Sequence, residues 1–176
     1  MKKLFIAMAI AMFGASQAQA GFMIEPYLGY ETGSSTSSGS ADEDYTGTLF
    51  GARLGYSMMG FMFGADYMTA SGTIEQTGGD LDLKTTDLGA FVGYEFPIMF
   101  RIYLSYMFDS KATPDGVGYD FEGSATRFGI GYTGLPFVAI NLEMIKRTYD
   151  ETSTGLSISP EQNLETYALT ISLPLP

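Results

Sequence analysis

Apolar and polar positions alternate along most of this chain. In IMFRIYLSYMFD, residues 98–109, the even positions Ile98, Phe100, Ile102, Leu104, Tyr106 and Phe108 are all apolar. The odd positions Met99, Arg101, Tyr103, Ser105, Met107 and Asp109 are mixed and charged. Successive side chains of a strand point to opposite faces, so this pattern predicts a strand with one apolar face. Read the same way, the chain contains eight strands, at 22–31, 46–58, 61–70, 85–95, 98–109, 122–133, 137–148 and 162–174. A helix fits poorly: the strongly apolar stretch 88–108 contains Glu95, Pro97 and Arg101, which a spanning helix would place in hydrocarbon.

The connections alternate between short and long. Short turns are predicted at Met59-Gly60, Phe96-Pro97 and Gly134-Leu135-Pro136, and long polar loops at 32–45, 71–84, 110–121 and 149–161. The triplets Leu54-Gly55-Tyr56, Val92-Gly93-Tyr94 and Ile130-Gly131-Tyr132 recur every 38 residues, the length of a strand pair with its turn and loop. Such hairpins in series predict an all-β fold, an eight-stranded antiparallel up-and-down β-barrel without free edges.

Alternation alone leaves open which face is outside. A soluble lipocalin-like barrel would turn the apolar face inward, and a transmembrane barrel would turn it to lipid. Glycines share the mixed face with the charges, among them Gly29, Gly51, Gly55, Gly64, Gly89, Gly93, Gly129 and Gly131. A narrow lumen needs such small residues beside large ones. On the apolar face, Tyr56, Tyr94 and Tyr132 end strands at short turns, while Tyr30, Tyr67 and Tyr106 lie near the opposite ends. Two belts of amphipathic rings suit the two interfaces of a bilayer, so the transmembrane reading is preferred.

The N-terminus reinforces it. Met1-Lys2-Lys3, an apolar run over 4–15 and Ala18-Gln19-Ala20 make a signal peptide over residues 1–20, leaving 21–176 as the barrel domain. Without Lys2 and Lys3, 7 basic residues stand against 20 acidic ones, a formal charge of −13. That balance argues against nucleic acid as a partner. The chain has no cysteine, hence no disulfide.

The segments IEPYLGYE, GARLGY, TTDLGAFVGYEFP, FGIGYTGLPFVAINLE and TYALTISLPL resemble the small eight-stranded outer-membrane β-barrel family of Gram-negative bacteria. The architecture is similar to the membrane domain of outer-membrane protein A. The resemblance implies a monomer surrounded by outer-membrane lipids and folded by the barrel assembly machinery, with periplasmic termini and long extracellular loops. Three features depart from the family pattern. The chain closes on Leu173-Pro174-Leu175-Pro176 where many members carry a terminal aromatic, it has no tryptophan, and Pro26 interrupts the first strand.

Catalysis by Ser-His or Asp-His groups needs a histidine, and the sequence has none, so no enzyme is expected, and no cofactor or metal. The charges of the mixed face, Glu25, Arg53, Asp66, Asp87, Arg101, Arg127 and Glu143, are read instead as a lumen network. A two-residue turn at Met59-Gly60 sets Arg53 opposite Asp66, and a three-residue turn at 134–136 sets Arg127 opposite Glu143. Glu25, Asp87 and Arg101 are expected to join the same layer as a polar plug. A narrow solute pore is the alternative. The acidic stretch 31–47, with Asp42-Glu43-Asp44, reads as a solvated loop, its spacing matching no calcium loop.

Overall fold

Period-two alternation carries further along the chain than its apolar residues alone suggest. In the computed structural model, which describes residues 21–37, 43–75, 79–116 and 118–175, eight antiparallel strands close into one barrel. They are β1 (Gly21–Ser37), β2 (Glu43–Met58), β3 (Phe61–Ile74), β4 (Leu81–Phe96), β5 (Phe100–Pro114), β6 (Phe121–Leu135), β7 (Val138–Thr152) and β8 (Ser157–Ser172). Each strand pairs with its sequence neighbours, and β1 closes on β8. The predicted leader, residues 1–20, lies outside the described residues.

The strands are longer than the sequence pattern predicts, and the predicted long loops shrink accordingly. Residues 32–37 and 43–45 are strand, with Ser34 opposite Asp44 and Ser35 opposite Glu43. The acidic stretch 31–47 is therefore mostly ladder; of Asp42-Glu43-Asp44, Glu43 and Asp44 lie in β2, and Asp42 lies outside the described residues. Serine, threonine and glycine have little apolar character to reveal a strand, yet barrel closure supplies two hydrogen-bonding neighbours to every segment.

At the other end the turns are tight. Met59 and Gly60 both take positive φ, 52° and 84°, joining β2 to β3 in the mirror-image geometry that suits strand twist. The β4–β5 turn occupies Pro97, Ile98 and Met99, so β5 begins at Phe100 rather than at 98. The β6–β7 turn falls on Pro136 and Phe137, not on 134–136. Proline's fixed φ suits the first turn position, Phe137 takes φ 64°, and Gly134 stays in the strand within an irregularity between Tyr132 and Leu135. This two-residue register change moves Arg127 opposite Ile145 and Glu143 opposite Gly129, correcting the predicted facing pair. A shift of two preserves parity, so both residues still point inward.

Pro26 lies on the β1–β8 seam. Leu173 N–H donates to the Pro26 carbonyl at 3.0 Å, and proline has no N–H to return the bond. The seam re-forms two residues later, where Ile24 and Leu175 exchange both backbone bonds, at 3.0 and 2.9 Å.

The outer surface is a band of exposed apolar side chains, including Leu28, Phe50, Leu54, Phe63, Val92, Leu104, Phe128, Leu142, Leu169 and Ile171. From Phe50 to Met58, at ~3.3 Å per residue and the ~40° tilt usual for such barrels, the band is roughly 20 Å tall. Above it the outward residues turn polar: Thr46 and Asp44 on β2, Lys111 on β5, Lys146 on β7, Glu165 on β8. Tyr30, Tyr56, Tyr67, Tyr106 and Tyr132 are exposed on this outer face. Tyr94 is half-buried, its ring met edge-on by Phe61 and Phe96 at centroid distances of 4.8 and 4.9 Å.

Candidate functional site

Inward positions carry what the outer face lacks. On β1 they are Met23, Glu25, Tyr27 and Glu31; on β7, Ala139, Asn141, Glu143, Ile145, Arg147 and Tyr149. Isolated charges inside a narrow barrel would lose hydration with nothing in return, so each needs a partner across the lumen. The side chains sort into alternating apolar and charged layers from the tight-turn end to the loop end.

Lowest is an apolar cluster of Met23, Met62 and Phe91. The main charged layer follows, with Glu25, Arg53, Asp66, Arg101, Arg127 and Glu143, all 3 % exposed or less. Three guanidinium groups meet three carboxylates. Arg127 donates to Glu143 through Nε and Nη2 at 2.9 and 2.7 Å, a two-pronged contact, and its Nη1 lies 3.2 Å from Asp66. Arg101 grips Glu25 with both terminal nitrogens and takes Asn141 and Ser172 as further acceptors. Arg53 lies between them, 3.4 Å from Glu25, 3.3 Å from Glu143 and 3.5 Å from Asp66.

These bonds cross the barrel. Glu25 on β1 meets Arg101 on β5, Arg53 on β2 meets Glu143 on β7, and Arg127 on β6 meets Asp66 on β3. None of these strand pairs is adjacent, so the side chains fill the cross-section. Two tyrosines complete the layer. Tyr27 donates to Asp66 at 2.8 Å and accepts from Arg127 at 2.7 Å, while Tyr103 donates to Glu143. The Arg53 guanidinium is stacked against both rings, 4.8 Å from Tyr27 and 4.0 Å from Tyr103. Glycine makes room for these rings: a Cβ on Gly129 would stand 2.2 Å from Tyr103, and one on Gly51 2.5 Å from Tyr27.

Above an apolar layer of Leu49, Met68, Ala70, Ile145 and Ala168 comes a second charged layer. Here Arg147 is held by Asp87 at 3.0 Å and Glu31 at 3.3 Å. Glu31 also accepts from Tyr45 at 2.8 Å and Thr166 at 3.0 Å, and Asp87 accepts from Ser110. Asp87 thus belongs with Arg147 and not with the six-residue layer, contrary to the sequence expectation. Sequence reasoning missed Glu31, Arg147, Tyr27 and Tyr103. Arg147 has the inward parity of Glu143, and both tyrosines share the parity of Glu25 and Arg101, so the signal was present. Among the described residues no group of acidic side chains is arranged to hold a metal ion.

A closed barrel with an apolar exterior and ionic, hydrogen-bonded interior is a transmembrane β-barrel, the inverse of a soluble ligand-binding barrel. Comparison with solved structures gives the same class. The chain is similar to the crystal structure of Neisserial surface protein A, with a TM-score of 0.59 and 14% identity, covering 88% of this chain and 98% of that one. It is similar to Ail, the attachment invasion locus protein of Yersinia pestis, crystallised with the heparin analogue sucrose octasulfate (TM-score 0.58, 13% identity, 88% and 99% covered). A second Ail crystal structure gives 0.56 and 14%, with 87% and 98% covered. The fold is that of the small eight-stranded outer-membrane barrels. No protein-family model and no curated protein matches the chain.

Proposed function

We propose that this protein is a non-enzymatic, monomeric barrel of the Gram-negative outer membrane whose lumen is closed by the six-charge layer, with its loop end facing outward. One observation carries the reading: Glu25, Arg53, Asp66, Arg101, Arg127 and Glu143 bond across the lumen between strands that are not neighbours, and all are buried. An eight-stranded barrel leaves room for side chains rather than a water column. The predicted signal peptide and apolar outer band support an outer-membrane location reached through the periplasm. Tight turns at one end and longer polar connections at the other support periplasmic termini, and the acidic residues of those connections suit a surface-exposed, structural or interacting role. The absence of histidine and the engagement of every lumen carboxylate in pairing support the non-enzymatic reading. Planar-bilayer recording of purified protein tests closure. The expected trace shows no steady current, and an ohmic conductance in most insertions would refute it.

A further inference from the structure

The loop-end mouth of the barrel has a composition that closure of the lumen does not require. Above the Arg147 layer, inward positions are apolar again: Tyr45, Ile74, Leu83, Ala112, Tyr149 and Leu164 are buried there, with Leu81 and Phe121 packed against them. Most of them line a cavity of about 260 Å³ to which all eight strands contribute and whose rim is polar, with Ser35, Glu43 and Asn163 among its residues. A concave apolar site with a polar rim at the loop end has the make-up of a ligand pocket.

Hydrogen-bond accounting supplies a second, independent observation. Buried polar atoms are nearly always paired, and an orphan calls for an explanation. Four buried side-chain atoms among the described residues lack a partner; one, Tyr149 Oη, lines this cavity, and two, Arg147 Nη2 and Thr85 Oγ1, belong to residues of the layer beneath it. Tyr149 lines the cavity itself, while Arg147 and Thr85 are the next inward positions below Tyr149 and Leu83. The neighbouring Ser110 hydroxyl donates to Asp87, which leaves only its oxygen to meet Tyr149.

We propose that this mouth binds a small, mainly apolar, non-anionic molecule carrying one hydrogen-bonding oxygen. The volume equals roughly nine waters at ~30 Å³ each, room for about ten non-hydrogen atoms. The oxygen accepts from Tyr149 while the body lies against Ile74, Leu83, Ala112, Phe121 and Leu164. Charge sets the class. Glu43 stands at the rim, and the layer beneath the cavity holds two carboxylates, Glu31 and Asp87, against one guanidinium, so an anionic head group meets net repulsion. The site is independent of closure below it, since conductance reads one and ligand binding the other.

The test is a titration of the full-length protein in lipid nanodiscs with 2-naphthol, followed by the methyl resonances of isoleucine and leucine. The expected result is saturable shifts at Ile74, Leu83 and Leu164 but not at lipid-facing Leu104 or Ile130. Binding should weaken about tenfold in Tyr149→Phe, with intact folding shown by unchanged methyl resonances at Leu104 and Ile130. The 1-naphthoate anion should bind at least tenfold more weakly than 2-naphthol. Shifts that never saturate, or that appear equally at Leu104, would show mere partitioning and overturn the site. Equal affinity in folded Tyr149→Phe would overturn the anchor, and equal affinity for the naphthoate would overturn the ligand class.

Discussion

Removing one cation from the six-charge layer should cost far more than removing one from the barrel surface. Arg127→Met keeps the stem but deletes the guanidinium that contacts Glu143 at 2.7 Å, Tyr27 at 2.7 Å and Asp66 at 3.2 Å. Three carboxylates then face Arg53 and Arg101 alone. Glu143 keeps Arg53 at 3.3 Å and the Tyr103 hydroxyl, and Asp66 keeps Arg53 at 3.5 Å with the hydroxyls of Tyr27 and Ser105. One buried negative charge is left uncompensated, a change that costs about 3–5 kcal/mol. Urea unfolding in phospholipid vesicles, followed by circular dichroism because the chain has no tryptophan, measures this. At an m-value of ~2 kcal/mol/M the midpoint should fall by about 1.5–2.5 M. Arg127→Met/Glu143→Gln restores two cations to two anions, so it should cost less than the two single changes added together, by about 1.5 kcal/mol or more. Lys146→Ala removes a contact of 2.6 Å to Glu165, but both side chains are half exposed, so the loss should stay under about 1 kcal/mol. A midpoint shift below ~0.5 M for Arg127→Met, or strict additivity in the double variant, would refute the reasoning.

Two further perturbations probe the outer face and the wall. Leu104 lies mid-band on β5, so Leu104→Arg should destabilise the membrane-inserted protein by about 2–4 kcal/mol, and no loss in the same urea assay would favour a barrel whose apolar exterior never meets lipid. Gly64→Ala places a Cβ 2.1 Å from the Leu54 carbonyl oxygen and 2.5 Å from Gly55 Cα, so the backbone must shift at a cost of about 1–3 kcal/mol. Gly21→Ala meets nothing within 4 Å and serves as the neutral comparison.

Parity was the most legible property of this chain. It depends only on alternation, and a two-residue error in a turn leaves it intact. That is why Arg127 and Glu143 point inward although the β6–β7 turn lies on Pro136-Phe137. Facing partners were less legible, because they follow from the turn: Met59-Gly60 was read correctly and Arg53 faces Asp66, whereas 134–136 was not. Facing is also not bonding. Arg53 lies 3.5 Å from the residue opposite it, and the shorter Arg127–Glu143 contact runs diagonally. The upper half of the barrel was hidden twice. Its strand ends 32–37 and 43–45 are written largely in serine, threonine and acidic residues, whereas Glu31 and Arg147 lay in predicted strands but pair across the lumen, which alternation along one strand does not reveal. On β5, Phe108 and Asp109 are both exposed at an irregularity in the ladder, which turns Ser110 and Ala112 inward against the parity of the lower strand.

The two charged layers differ in balance, and that difference has a consequence. The lower layer matches three cations to three anions, and hydroxyls only supplement the pairing. The upper layer sets one cation against two anions and replaces the missing one with hydroxyl donors, Tyr45 and Thr166 on Glu31 and Ser110 on Asp87. Such an excess is tolerable only near the loop end, where the effective dielectric is higher than at mid-barrel. Glutamine substitution separates the two cases. Glu31→Gln keeps an oxygen to accept from Tyr45 or Thr166 and brings the upper layer to neutrality, so its stability should stay within about 1 kcal/mol of the parent. Glu143→Gln leaves the lower layer with an unmatched guanidinium between Arg53 and Arg127 and should cost about 3–5 kcal/mol. Both are measured by the same urea midpoint. Equal losses at the two positions would mean that shape and hydrogen bonding, not charge balance, decide what this lumen tolerates.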